Sequence, residues 1–212
     1  MADNRAKYGF RYYTNLRGGG VPPAVECFVA SGYTGDFTGN VGISIGDPVE
    51  KVTDGSVILA GDTATDPGRV FGVVVGIANA RIDINGKSKP ASFLPANTTY
   101  TTKAGESKVM VLPVAGIVWE IDADAQTATT EAAWRALMGL NCPISATRDT
   151  SNPDKPRMRP RAATGTTGTG TDHLRLWDIS KTQENQDLSG ANVKLLVMFN
   201  EGFDPSLTAT GL

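Results

Sequence analysis

The chain has 212 residues, 40% hydrophobic and 20% charged, with 24 glycines and 12 prolines. That is enough apolar material for a sizeable core and too ordered a composition for a disordered chain. A formal net charge of −2 gives no whole-chain signal for nucleic acid, and no apolar run approaches the ~20 residues that span a bilayer.

The first residues, Met1-Ala2-Asp3-Asn4-Arg5, lead into no apolar stretch, so no signal peptide is expected and synthesis and assembly are placed in a cytoplasm. Residues 1–24 then read as an N-terminal arm. Tyr8, Phe10, Tyr12 and Tyr13 lie among Arg5, Lys7, Arg11 and Arg17, and Gly18-Gly19-Gly20 and Pro22-Pro23 separate them from the apolar run that starts at Val25. Tyr and Arg dominate interface hot spots, so Tyr8, Phe10, Arg11, Tyr12 and Tyr13 are candidate partner-binding residues. The plainer reading of the same residues is a first strand and its loop.

A β-rich domain is expected over residues 25–204. Val25–Ala30 is a short apolar run, and Gly-rich text from Gly32 to Gly46 leads to Pro48–Val52. Asp54-Gly55 between two apolar runs is a strong hairpin signal, with Ser56–Ala60 as the returning strand. Asp66-Pro67-Gly68 and Asn85-Gly86 mark further turns. Val70–Ile77 reads as a strand buried on both faces, and Val109–Leu112 and Ile117–Asp122 lie on either side of Pro113 and Gly116. One helix of about ten residues is expected near Ala132–Met138, capped by Thr129 or Thr130, with Glu131 in its first turn and Gly139 ending it.

Residues 145–172 read as one long loop. Its first half holds Arg148, Lys155, Arg157, Arg159 and Arg161 against Asp149 and Asp154, and its second half is Thr/Gly repeats. Arg157, Arg159 and Arg161 are candidate contacts for an acidic protein surface; without interleaved aromatics, nucleic acid is not expected there. Leu174–Ile179 and Val193–Phe199 are the last strands, and residues 205–212 form a C-terminal tail. Val73, Val75, Leu195, Val197 and Phe199 are expected to be buried. The fold class is therefore all-β, a barrel or sandwich, with one short helix and extended arms and loops.

The chemistry-bearing residues are few. His173 is the single histidine and reads as a residue leading into a strand; no nucleophile or paired-histidine metal motif can be built around it. Cys27 and Cys142 read as buried apolar thiols. The cluster Glu120-Ile121-Asp122-Ala123-Asp124 lacks the periodicity of a calcium loop and reads as a polar strand end. The glycine-containing stretches lack the Gly-Lys-Ser/Thr ending of a phosphate loop. No cofactor or metal is expected, and no enzyme; an acid–base pair drawn from Asp47, Asp122 and Asp124 would need a cleft for which the sequence gives no sign.

The order of Gly46-Asp47-Pro48-Val49, Asp54-Gly55 and Gly72-Val73-Val74-Val75-Gly76-Ile77 resembles a family of tailed-bacteriophage virion structural proteins. Val118–Asp124 is similar to that family's apolar-aromatic-acidic segment, and Val193–Phe199 with Asn200-Glu201 behind it is similar to its closing strand. The resemblance covers roughly residues 45–202 and departs from the family at the Arg/Pro and Thr/Gly stretch and at the helix. It implies a head decoration or cement protein on the outside of a capsid. Its partners would be the major capsid protein and neighbouring copies of itself, as dimer or trimer, with no nucleic acid and no membrane. It would sit on the virion surface and in the host cytoplasm during assembly. A carbohydrate- or receptor-binding β module of a fibre or tail is the alternative, although Trp119, Trp134 and Trp177 lie in apolar contexts that read as core. A major capsid subunit would need a long spine helix, which is not found.

Overall fold

Short apolar runs punctuated by Gly, Pro and Asp-Gly cannot bury a face alone, so they pair into sheets that stack. The computed structural model describes residues 9–30, 43–60, 70–77, 81–82, 88–89, 93–94, 108–123, 128–149, 157–162, 172–182, 185, 187–189 and 193–200. In chain order the first strands are β1 (Arg11–Asn15), β2 (Val25–Phe28), β3 (Ile43–Ser44), β4 (Pro48–Lys51), β5 (Val57–Leu59) and β6 (Val70–Ile77). Then come β7 (Arg81–Ile82), β8 (Ser88–Lys89), β9 (Phe93–Leu94), β10 (Lys108–Pro113) and β11 (Ile117–Asp122). Helix α1 (Glu131–Arg135) precedes β12 (Asn141–Cys142), β13 (Ile144–Asp149), β14 (Arg157–Ala162), β15 (Leu174–Ile179) and β16 (Lys194–Phe199).

The fold is all-β with one short helix. One five-stranded antiparallel sheet runs β1-β11-β16-β15-β12 and a second runs β2-β10-β6-β4-β5; β13-β14, β3-β9 and β7-β8 are two-stranded ribbons. The two large sheets form a sandwich. Among the described residues no closed barrel forms, although a parallel bridge from Val29 to Val57 draws the two edges of the second sheet towards each other.

Strand β6 serves two cores. Val73, with Leu112 of β10, joins the main cluster that holds Trp119, Ile121, Leu195, Val197 and Phe199. Val74, with Val109 and Val111, joins a second cluster with Val49, Val57 and Leu59. The expectation for Val75 is corrected: it is 38% exposed, whereas Val73 and Val74 are fully buried. A bulge explains this, since Met110 pairs with Gly76 and Val111 with Val74, leaving Val75 out of the ladder. Leu195, Val197 and Phe199 are buried as expected.

The N-terminal arm is also corrected over its described part. Arg11–Asn15 is a strand of the first sheet, paired to β11. Phe10 is 3% exposed, its ring 5.0 Å from that of Phe199 and 6.3 Å, edge-on, from that of Trp119. An aromatic ring gains more in this core than in solvent, and the Phe10 N–H donates to the Gly46 carbonyl at 2.8 Å. The glycines and prolines that set the aromatic segment apart from Val25 lie in the connection to β2, after the strand. Tyr8 and the tail at 205–212 lie outside the described residues.

The expected loop at 145–172 is corrected too, because its first half contains a hairpin. β13 and β14 pair from Ile144↔Ala162 to Asp149↔Arg157. Ile144 and Ala162 are buried in the main core, and Ala162 bridges to Ala123. Pro160 is compatible because a two-stranded ribbon leaves edges open where no ladder hydrogen bond is lost. The Thr/Gly stretch 163–171 lies outside the described residues.

The local signals otherwise act as read. The Asp54-Gly55 turn joins β4 to β5. Thr130 caps α1, its hydroxyl accepting from Ala133 N–H at 3.3 Å. The helix is shorter than expected at five residues, and a turn carries the chain on to Gly139. Trp134 on α1 is fully buried and donates its indole N–H to the Leu188 carbonyl at 2.9 Å.

Candidate functional site

Period-two alternation divides β11 and β16 between two faces. Trp119, Ile121, Leu195 and Val197 point into the main core, which puts Glu120, Asp122, Lys194 and Leu196 on the opposite side of the sheet. The register then sets Arg11 opposite Glu120, Glu120 opposite Leu196, and Asp122 opposite Lys194. Asp122 and Lys194 form an ion pair at 3.6 Å with side chains 4% and 2% exposed. Glu120, also buried, accepts from the Ser180 hydroxyl at 2.5 Å and pairs with the half-exposed Arg11 at 3.4 Å.

Asn185 ties this row to the backbone. Its amide donates to the carbonyls of Ser180, at 2.7 Å, and Lys194, at 2.9 Å, and its oxygen accepts from Lys194 N–H at 2.8 Å. Buried charge is tolerated when it is paired and its neighbours are hydrogen-bonded, and this cluster has that form. The acidic segment does close β11, which ends at Asp122, but Glu120 and Asp122 are buried there and answer protein partners. Among the described residues, no group of three His, Cys, Asp or Glu is arranged to hold a metal ion. Sequence reasoning missed Lys194, Ser180 and Asn185. The signal was Lys194 standing within an otherwise apolar strand, where only a buried partner can compensate its charge.

The remaining polar candidates are equally engaged. His173 is fully buried just ahead of β15, as its position implied. Its Nδ1 accepts from Ile144 N–H at 3.5 Å, and its carbonyl accepts from Asn200 N–H at 3.0 Å. Burial pushes the imidazole pKa down, partly offset by the Asp172 carboxylate. Asp47, 1% exposed, accepts from Ser44 N–H at 2.7 Å and so closes the turn before β4. Cys27 and Cys142 are buried thiols. Burial raises the Cys27 pKa against the opposing pull of Lys51, which disfavours the reactive thiolate.

The surface carries large apolar side chains. Tyr13, Leu16 and Val21 stand on and after β1, Phe28 on β2, and Trp177 on β15. Lys108 extends over the Phe28 ring at 5.0 Å and pairs with Glu26 at 2.7 Å. The reading of Trp177 as core is corrected: it is 51% exposed, at a bulge where Leu176 pairs with Val197 and Asp178 with Leu196. Trp119 and Trp134 are core.

The expected partner-binding residues separate. Phe10 is buried and cannot serve as a surface anchor, Tyr12 packs partly against the core, and Tyr13 is exposed because the β1 bulge lifts it out of the ladder. Arg11 is committed to Glu120. Arg157, Arg159 and Arg161 take every second position of β14, opposite Asp149, Thr147 and Ser145. Comparison of the chain with protein-family models, with curated proteins and with solved structures found no match.

Proposed function

We propose that this protein is a non-enzymatic structural component of a tailed-phage virion that binds and stabilises the outer surface of the head as a decoration or cement protein. One observation carries the reading: buried charges are matched to partners inside the protein, while Tyr13, Leu16, Val21, Phe28 and Trp177 stand at the surface. Such a molecule is stocked for adhesion. Exposed aromatics supply contact area, and a rigid sandwich holds them in place. The likeness of Gly46–Val49, Gly72–Ile77 and Val118–Asp124 to phage virion proteins supports the head as its location. The partners are the major capsid protein and neighbouring copies, and local capsid symmetry favours dimers or trimers. No cofactor takes part.

The test is to mix purified protein with heads of its phage assembled without it, sediment them, and image the particles by electron microscopy. Ordered density on the outer shell at residue resolution is the expected result. Absence from sedimented heads under all salt conditions would overturn the reading. The exposure of Trp177 favours a second reading, a carbohydrate- or receptor-binding β module of a fibre or tail, for which an indole is a stacking platform. Glycan-array binding lost in Trp177→Ala, with no binding to heads, would favour it.

A further inference from the structure

We propose that the β13–β14 ribbon is the electrostatic docking element of this protein, and that its counterpart is an acidic protein surface; the inference rests on the head-binding reading and gives that contact its chemistry. Four observations carry it. First, Arg157, Arg159 and Arg161 hold alternate positions of one strand, which by strand alternation belong to one face of the ribbon. Consecutive positions of this kind are ~6.7 Å apart, so the three span ~13 Å in a row. Second, the positions opposite them are Asp149, Thr147 and Ser145, so these three register pairs comprise three basic residues against one acidic.

Third, the charge of the chain is divided. Residues 144–162 carry five basic residues, Arg148, Lys155, Arg157, Arg159 and Arg161, against Asp149 and Asp154. The segment is therefore at +3 within a chain at −2, which leaves the rest at −5. A local field of opposite sign to the remainder orients an encounter with an acidic patch. Fourth, the ribbon is fixed at its base: Ile144 and Ala162 are buried in the main core, and Ala162 is bridged to Ala123, next to the first sheet. A row of arginines on an anchored ribbon loses less entropy on docking than the same residues in a free loop. Arginine also suits this role through bidentate pairing with carboxylates. Nucleic acid is disfavoured because the ribbon carries no aromatic residue for base stacking.

The experiment compares the wild type with the triple variant Arg157→Gln, Arg159→Gln, Arg161→Gln. Each is titrated onto heads lacking the protein, onto immobilised polyglutamate and onto duplex DNA, at low and high salt. The inference expects binding to heads and to polyglutamate to weaken by about tenfold in the variant at low salt, with the gap closing at high salt. Circular dichroism and melting temperature should stay unchanged, separating lost charge from lost fold. Equal binding of both proteins to heads at both salts would overturn the inference while leaving the head-binding function intact. Tighter wild-type binding to DNA than to polyglutamate would overturn it in favour of nucleic acid. Loss on polyglutamate in the variant, with neither protein binding heads, would sustain the ribbon's chemistry and overturn the head-binding reading instead.

Discussion

Gly9 and Gly46 meet backbone to backbone, and that contact fixes how β1 enters the sandwich. A Cβ on Gly9 would lie 2.3 Å from the Gly46 carbonyl oxygen, and Gly46 itself has φ of 93°, a region that side chains disfavour. Gly9→Ala is expected to cost about 1–3 kcal/mol of stability, the usual range for forced overpacking, as measured by urea unfolding. His173 gives a second residue-scale prediction. Its folded pKa is lowered from 6.5 by burial, so below that pH the unfolded chain takes up a proton that the fold resists. Its contribution is fully present above the unfolded value and is lost as pH falls through it towards the folded one. Melting temperature should therefore fall more steeply between about pH 7 and about pH 5 in the wild type than in His173→Gln. Equal slopes would mean that His173 titrates freely.

At the scale of elements, β1 is a structural strand whose removal reaches the core. Deleting residues 2–20 takes away Phe10 and one of the two strands paired to β11, leaving Trp119 and Phe199 without one of their packing neighbours. The expected outcome is loss of cooperative unfolding by circular dichroism; a truncated protein that melts like the full chain would restore the arm reading. Phe10→Ala and Phe199→Ala should each cost roughly 3–5 kcal/mol. Because their rings lie 5.0 Å apart, the double variant should depart from additivity by ~0.5–3 kcal/mol in a denaturation cycle. By contrast, Val75→Ser should cost far less, about 1 kcal/mol or below, since the bulge already leaves that side chain partly exposed.

For the whole molecule, the two clusters share strands. β6 gives Val73 to one and Val74 to the other, and β10 gives Leu112 to one and Val111 to the other. Neither cluster can lose its packing while these strands stay in place, so the sandwich should unfold as one unit. Indole fluorescence, which reports Trp119 and Trp134 in the main cluster, and far-ultraviolet dichroism, which reports both sheets, should give coincident urea transitions. Two separated midpoints would show that the second cluster melts independently.

Local chemistry was readable from the residues themselves. Alternating and β-branched runs set the all-β class, Asp54-Gly55 set a hairpin, Thr130 set a helix start, and the apolar run at Leu195–Phe199 set a core strand. These depend on period, propensity and turn geometry, which act over a few residues. Tertiary structure decided which strand meets which. Phe10 belongs to the core because β1, beginning at the next residue, finds its ladder partner in β11, and Arg157–Arg161 form a ribbon because Ile144–Asp149 lies opposite. The bulges that expose Val75 and Trp177 arise from register, which no single strand carries in its own sequence. The Asp122–Lys194 pair joins residues 72 positions apart. A charge buried by a distant strand cannot be told locally from one facing water, because its cost depends on the partner that the fold brings to it.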